Sequence, residues 1–174
     1  MSATVSQVSP SAATVTTSPA YNFHSFTLIG AVVAAATTFA TISVALPAWA
    51  MFLGWVGYST SGQTIRDGVA NLISFLLGVA FGVGTALLIV ALTPILGNAA
   101  TPVCIFGDVV LVLSLRALPP INNPLAYFLG LISFFASAKA PSVSTLAILS
   151  IAGVIGALGA GVAGFLQSRA QRVG

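Results

Sequence analysis

Charge is nearly absent from this sequence: 4% of its 174 residues are Asp, Glu, Lys or Arg, against 57% hydrophobic residues. Soluble domains carry about a quarter charged residues. A water-facing surface is therefore excluded, and an integral membrane protein is the class that remains. Glutamate is missing altogether, the only acids are Asp67 and Asp108, and His24 is the single histidine. General acid–base chemistry has almost no residues to run on, so no enzyme is expected. One cysteine, Cys104, excludes an intrachain disulfide and a cysteine-built metal cage, and neither a metal nor another cofactor is expected. Five basic residues and a net charge of +3 are too few for a nucleic-acid footprint. There is no nucleophile elbow, no His-Glu-x-x-His and no phosphate-cradling glycine loop.

What the chain does have is a repeated stretch. Pro47-Ala-Trp-Ala-Met-Phe-Leu-Gly-Trp-Val-Gly-Tyr58 and Pro124-Leu-Ala-Tyr-Phe-Leu-Gly-Leu-Ile-Ser-Phe-Phe135 both open at a proline and carry Phe-Leu-Gly, as Phe52–Gly54 and Phe128–Gly130, 76 residues apart. At the same offset Ala50 meets Ala126, Val56 meets Ile132, Tyr58 meets Phe134 and Ser61 meets Ser137. So many coincidences at one offset indicate a duplicated unit. Each copy lies between two longer apolar runs.

Residues 1–24 form a tail of Ser, Thr, Ala and Val that lacks both the basic start and the compact apolar core of a signal peptide. Composition predicts disorder there. A single membrane domain follows over 25–168, with repeat one at 25–96 and repeat two at 101–168, and a basic end at 169–174. The runs Phe26–Leu46 and Val69–Leu92 are long enough to span, since about 20 helical residues cover the hydrocarbon core. Gly78, Gly82 and Ala86 form a small-residue stripe that lets helices approach closely. Gly153, Ala157 and Gly161 match that stripe at an offset of 75. Pro119-Pro120 and Pro124 bound a rigid connection around Asn122-Asn123, which reads as a turn.

Each half thus reads long helix, short proline-led Phe-Leu-Gly helix, long helix. If the short helices cross, there are six crossings and the halves are inverted; if they re-enter, there are four and the halves are parallel. Basic residues concentrate on the cytoplasmic side of membrane proteins. Six crossings put Arg66, Arg116, Arg169 and Arg172 on one side and Lys139 on the other, a cleaner partition than four crossings give. The expected fold is therefore an all-α membrane protein of about six spans in two inverted three-helix repeats, with both termini cytoplasmic.

Asp108 lies inside an apolar run, where acids are costly and mark function by default. It is a candidate proton or cation site; the alternative is a hydrogen-bonded acid holding a helix end. The 76-residue offset puts Val32 in its place, so Asp108 is no part of the duplicated plan. Phe52, Gly54, Phe128 and Gly130 are candidates for a constriction, and Thr37 and Thr41, one helical turn apart, for a polar lining. Asn71, Ser74, Ser114 and Ser133 are further lining candidates. The plainer reading of all these hydroxyls is a bond to their own helix or a bridge between helices. Trp49, Trp55, Tyr58 and Tyr127 read as interface anchors or packing, and His24 as a solvated residue.

The stretch Trp49-Ala-Met-Phe-Leu-Gly-Trp-Val-Gly-Tyr58, with its weaker copy from Pro124 to Phe134, resembles the YcdZ-type family of small bacterial inner-membrane proteins, a domain of unknown function. The likeness covers roughly residues 26–168. It implies the bacterial cytoplasmic membrane and brings no catalytic residues to carry over. The proline-led segments also resemble, in pattern alone, those of urea channels. The function expected is a channel or permease for a small, uncharged polar solute, working in the lipid bilayer as a symmetric homo-oligomer. A structural or accessory membrane protein, and a proton-coupled transporter using Asp108, are the alternatives.

Overall fold

Prolines and a few caps cut the apolar chain into helices. A computed structural model describes residues 20–60 and 64–173 and folds them into six α-helices: α1 (Ala20–Ser43), α2 (Ala48–Ser59), α3 (Ile65–Leu96), α4 (Ala100–Leu115), α5 (Pro124–Ala136) and α6 (Val143–Val173). Among the described residues there is no strand. α2 begins straight after Pro47, and α5 has Pro124 in its first turn, where a missing N–H costs nothing. α3 starts at a reciprocal cap: the Thr64 hydroxyl accepts from the Asp67 N–H at 3.2 Å, and the Thr64 N–H donates to the Asp67 carboxylate at 3.3 Å. Gly97, at φ 55°, ends α3, and a single 3₁₀ turn, Gly97–Ala99, leads directly into α4. Ala45 and Ala138, just past α1 and α5, also take positive φ, at 57° and 50°.

Several boundaries differ from the sequence expectation. α1 begins at Ala20, so residues 20–24 belong to the first helix and not to the tail; residues 1–19 lie outside the described residues. α3 runs two residues past Pro94, whose effect on the ladder falls in the last turn. The polar break between the halves shrinks to Gly97–Ala99, because Pro102 sits in the first turn of α4. α6 continues through Arg169 and Arg172, so the basic end is helical.

The two longest helices, α3 and α6, touch each other and form the middle of the bundle. α2 lies mainly on α6 and α5 mainly on α3, while α1 flanks α6 and α4 flanks α3. α2 and α5 also meet one another. Each short helix thus packs most heavily against the long helix of the other half. The core between them is apolar: Met51, Phe75, Val79, Leu129, Phe134 and Leu149 are buried, and Phe75 rests in the space left by Gly57 and Gly153.

The outside is as apolar as the inside, with Phe39 75%, Phe106 72% and Leu158 64% exposed. Water would not tolerate that face, and hydrocarbon does. Three helical stretches are long and apolar enough to cross a membrane: Phe26–Ser43, the stretch Ile65–Leu115 that contains α3 and α4, and Val143–Gln171. The two short helices, of 12 and 13 residues, reach only about 18–20 Å.

Hydrogen bonds fix which helix ends lie together. Asn71 of α3 donates to the Tyr58 carbonyl at the end of α2, and Asn123, at the start of α5, donates to Asn71 and Thr60. Gln167 near the end of α6 donates to the Phe26 carbonyl of α1. Arg66 lies in the first turn of α3 and Arg116 just past α4, Arg169 and Arg172 belong to the last turns of α6, and Lys139 lies between α5 and α6.

Candidate functional site

The paired Phe-Leu-Gly segments put their glycines at two close helix crossings. A Cβ on Gly54 would strike the backbone of Gly153 in α6, and a Cβ on Gly156 would strike the Met51 carbonyl of α2. At the other crossing, a Cβ on Gly130 would strike the Phe75 carbonyl of α3, and one on Gly78 the Tyr127 carbonyl of α5. Backbone lies on backbone at both places, which only glycine permits. The two crossings use the same contacts: Met51 and Gly54 do on α6 what Tyr127 and Gly130 do on α3. The counterpart of Gly78 by contact is thus Gly156, an offset of 78 rather than the 75 that sequence matching gives. One extra residue in α5 and one in the connection before α6 raise the offset from 76 at the short helices to 78.

The phenylalanines of the same triplets point elsewhere. Phe52 is 43% exposed and lines a groove of about 520 Å³ between α1, α2 and α6. Phe128 is partly buried against Val112, Tyr127 and Leu131. Thr37 and Thr41 each donate to their own helix, to the Val33 and Thr37 carbonyls at 2.7 and 2.8 Å. Thr41 is fully buried, and Thr37 stands over Gly159 beside Trp55. Ser74 and Ser114 also bond back to their own helices. Trp49 is 40% exposed on the outer surface, as an anchor residue would be.

Asp108 is 7% exposed and occupies the middle of α4. It faces a groove of about 350 Å³ between α3 and α4, which Thr85 of α3 also lines. Thr37 lines a different groove, of about 420 Å³, between α1 and α6. The sequence candidates therefore fall on two sides of the bundle, Gly54, Thr37 and Thr41 around α6, and Gly130 and Asp108 around α3. Gly54, Gly130 and Thr41 line none of these three grooves.

One polar group was not anticipated as a unit. Asn123 reads as a turn residue in the sequence, yet its side chain ties α2 to α3 by donating to the Thr60 hydroxyl at 2.7 Å and the Asn71 side-chain oxygen at 3.0 Å. Separations of 63 and 52 residues leave no local trace of such a link. The fully buried hydroxyls of Tyr127 and Ser133 have no hydrogen-bond partner among the described residues. Tyr127 stacks on Phe81, with centroids 6.0 Å apart. Among the described residues no group of three or more His, Cys, Asp or Glu is gathered as a metal site would require.

A six-helix bundle with an apolar exterior and glycine-sealed crossings matches one family model, described as a protein of unknown function (DUF1097), over residues 27–166. The chain belongs to the DUF1097 family. The match starts inside α1, stops in the last turns of α6 and takes in both Phe-Leu-Gly helices and Asp108. No curated protein and no solved structure matches the chain. The YcdZ-type label is finer than this match, which carries the DUF1097 domain alone.

Proposed function

We propose that this DUF1097 protein, of the YcdZ type, is a bacterial inner-membrane permease for a small, uncharged polar solute, built as six crossings in two inverted repeats. The support is the matched pair of crossings, Gly54–Gly153 with Gly156–Met51 and Gly130–Phe75 with Gly78–Tyr127. Two odd-numbered helix sets that exchange their short helices in the same way are the general plan of many transporters; the step from plan to transport is an analogy of fold. The arginine-bearing helix ends then face the cytoplasm, together with the Ala20 end of α1.

The seam between the halves is filled by Phe75, Met51, Val79 and Leu129, so a standing pore through one subunit does not fit. Movement of one repeat against the other fits better, because at both crossings glycines bring helix backbone directly onto helix backbone. The Phe-Leu-Gly helices then act as the bearing of the pathway, and in a homo-oligomer each subunit moves alone. A structural membrane protein without transport is the second reading, favoured by the same dry seam.

Proteoliposomes separate the two. Stopped-flow light scattering with urea and glycerol is expected to show equilibration faster than in empty liposomes. A cross-link between Thr60→Cys and Asn123→Cys, whose side chains touch at 2.7 Å, should slow it, and reduction should restore it. Rates equal to empty liposomes, with the protein folded and inserted, would refute permeation of these solutes and leave the structural reading.

A further inference from the structure

The α3–α4 groove pairs an apolar trough with one carboxyl. Asp108 lies eight residues from the start of α4 and seven from its end, about 11–12 Å from either. Among the described residues, no basic side chain lines the groove. A carboxylate offers about four acceptor positions, and Thr85 is the one hydroxyl residue that lines the groove with it. The remaining wall is Ala80, Phe81, Leu88 and Cys104, with Gly84 and Gly107 facing one another's helices. A Cβ at either glycine would meet nothing within 4 Å, so those two positions hold the trough open. These glycines do not serve packing, unlike Gly78 and Gly130.

The architecture does not require the acid. At the 76-residue offset Val32 takes the place of Asp108. Val32 lines the α1–α6 groove with Leu158 and Val162, and that groove holds no carboxyl. One copy of the fold therefore does without a feature that is costly at membrane depth.

We propose that the α3–α4 groove binds a lipophilic amine, its apolar body in the trough and its ammonium group on the Asp108 carboxylate. A cation with N–H donors fills the free acceptor positions, and its charge compensates a carboxylate beside which no basic residue stands among the described groove residues. The volume of about 350 Å³ suits a compact ligand of this kind. The site is distinct from the Phe-Leu-Gly seam and does not depend on the permease reading.

The test uses the full chain in lipid nanodiscs and the fluorescent amine N-dansylcadaverine, with its neutral N-acetylated form as comparison. Saturable binding of the amine is expected, with the neutral form weaker by about tenfold or more, the worth of a charge-assisted bond. Asp108→Asn should lose that preference, while Asp67→Asn, at the cap of α3, should keep it. Gly84→Leu should block both probes by filling the trough with Asp108 intact. Equal binding of the amine and its neutral form by the unaltered protein would overturn the proposal, whatever the variants do. So would amine binding undiminished in folded Asp108→Asn or Gly84→Leu.

Discussion

Replacing Gly130 by alanine places a methyl group against the Phe75 carbonyl, with the Val79 nitrogen and the Gly78 backbone close behind. No side chain can rotate away, because every atom met belongs to the α3 backbone. Relief requires the helices to part along a contact that runs most of the length of α5. Overpacking costs about 1–3 kcal/mol, and a rigid backbone neighbour puts this case at the upper end. Against it stands a gain of about 0.5–1 kcal/mol from placing alanine in a helix interior. The net expectation is a loss of about 2 kcal/mol. Gly84→Ala supplies the internal standard, since its methyl meets nothing within 4 Å and should leave only the helix gain of about 0.5–1 kcal/mol. Reversible unfolding in mixed micelles with increasing dodecyl sulfate would compare the two variants with the unaltered chain. A Gly130→Ala protein as stable as Gly84→Ala would refute the backbone-on-backbone seam. Gly156→Ala, at the other crossing, should behave as Gly130→Ala does, because it meets the Met51 carbonyl in the same manner.

A double-mutant cycle on Asn71→Ala and Asn123→Ala should give a coupling of about 0.6 kcal/mol and no more than about 1.7, the range for hydrogen bonds between membrane helices; additive losses would show that the 3.0 Å contact between them contributes nothing. Ala138→Gly should stabilise the protein by up to about 1 kcal/mol in the same unfolding assay, because alanine at φ 50° holds a left-handed conformation that glycine adopts freely. An unchanged or lowered stability would show that the αL cap after α5 costs the native chain nothing.

Much of the architecture is legible in composition and punctuation. The scarcity of charge announces a membrane protein, and Pro47 and Pro124 announce two short helices, because proline acts on the backbone wherever it stands. The Phe-Leu-Gly identity located the glycines of both crossings, but not their partners. Choice of partner is illegible for a physical reason: in lipid the outer face of a helix is as apolar as its inner face. α1 carries Phe39 and Val32 outward and Thr41 inward, the reverse of an amphipathic pattern in water. The boundaries of α1, α4 and α6 extend beyond the apolar runs because helix does not stop where hydrophobicity does. The Thr60–Asn71–Asn123 link escapes notice because it depends on tertiary proximity alone. Asp108 stands out in the sequence by its cost in the membrane, and the groove before it emerges only when α3 and α4 are laid side by side.

The exchange of short helices between halves also sets an order of manufacture. α5 emerges from the ribosome after its main partner, α3, is already made, and can dock at once. α2 is in the opposite position. It ends at Ser59, and α6 begins only at Val143. At about 5–20 residues per second, those intervening 80 or so residues take roughly 4–16 s. Through that interval a helix of 12 residues, shorter than the bilayer core, keeps the backbone around Gly54 without its α6 partner. Two segments of near-identical design therefore mature on different schedules, and the first to be written is the last to be secured.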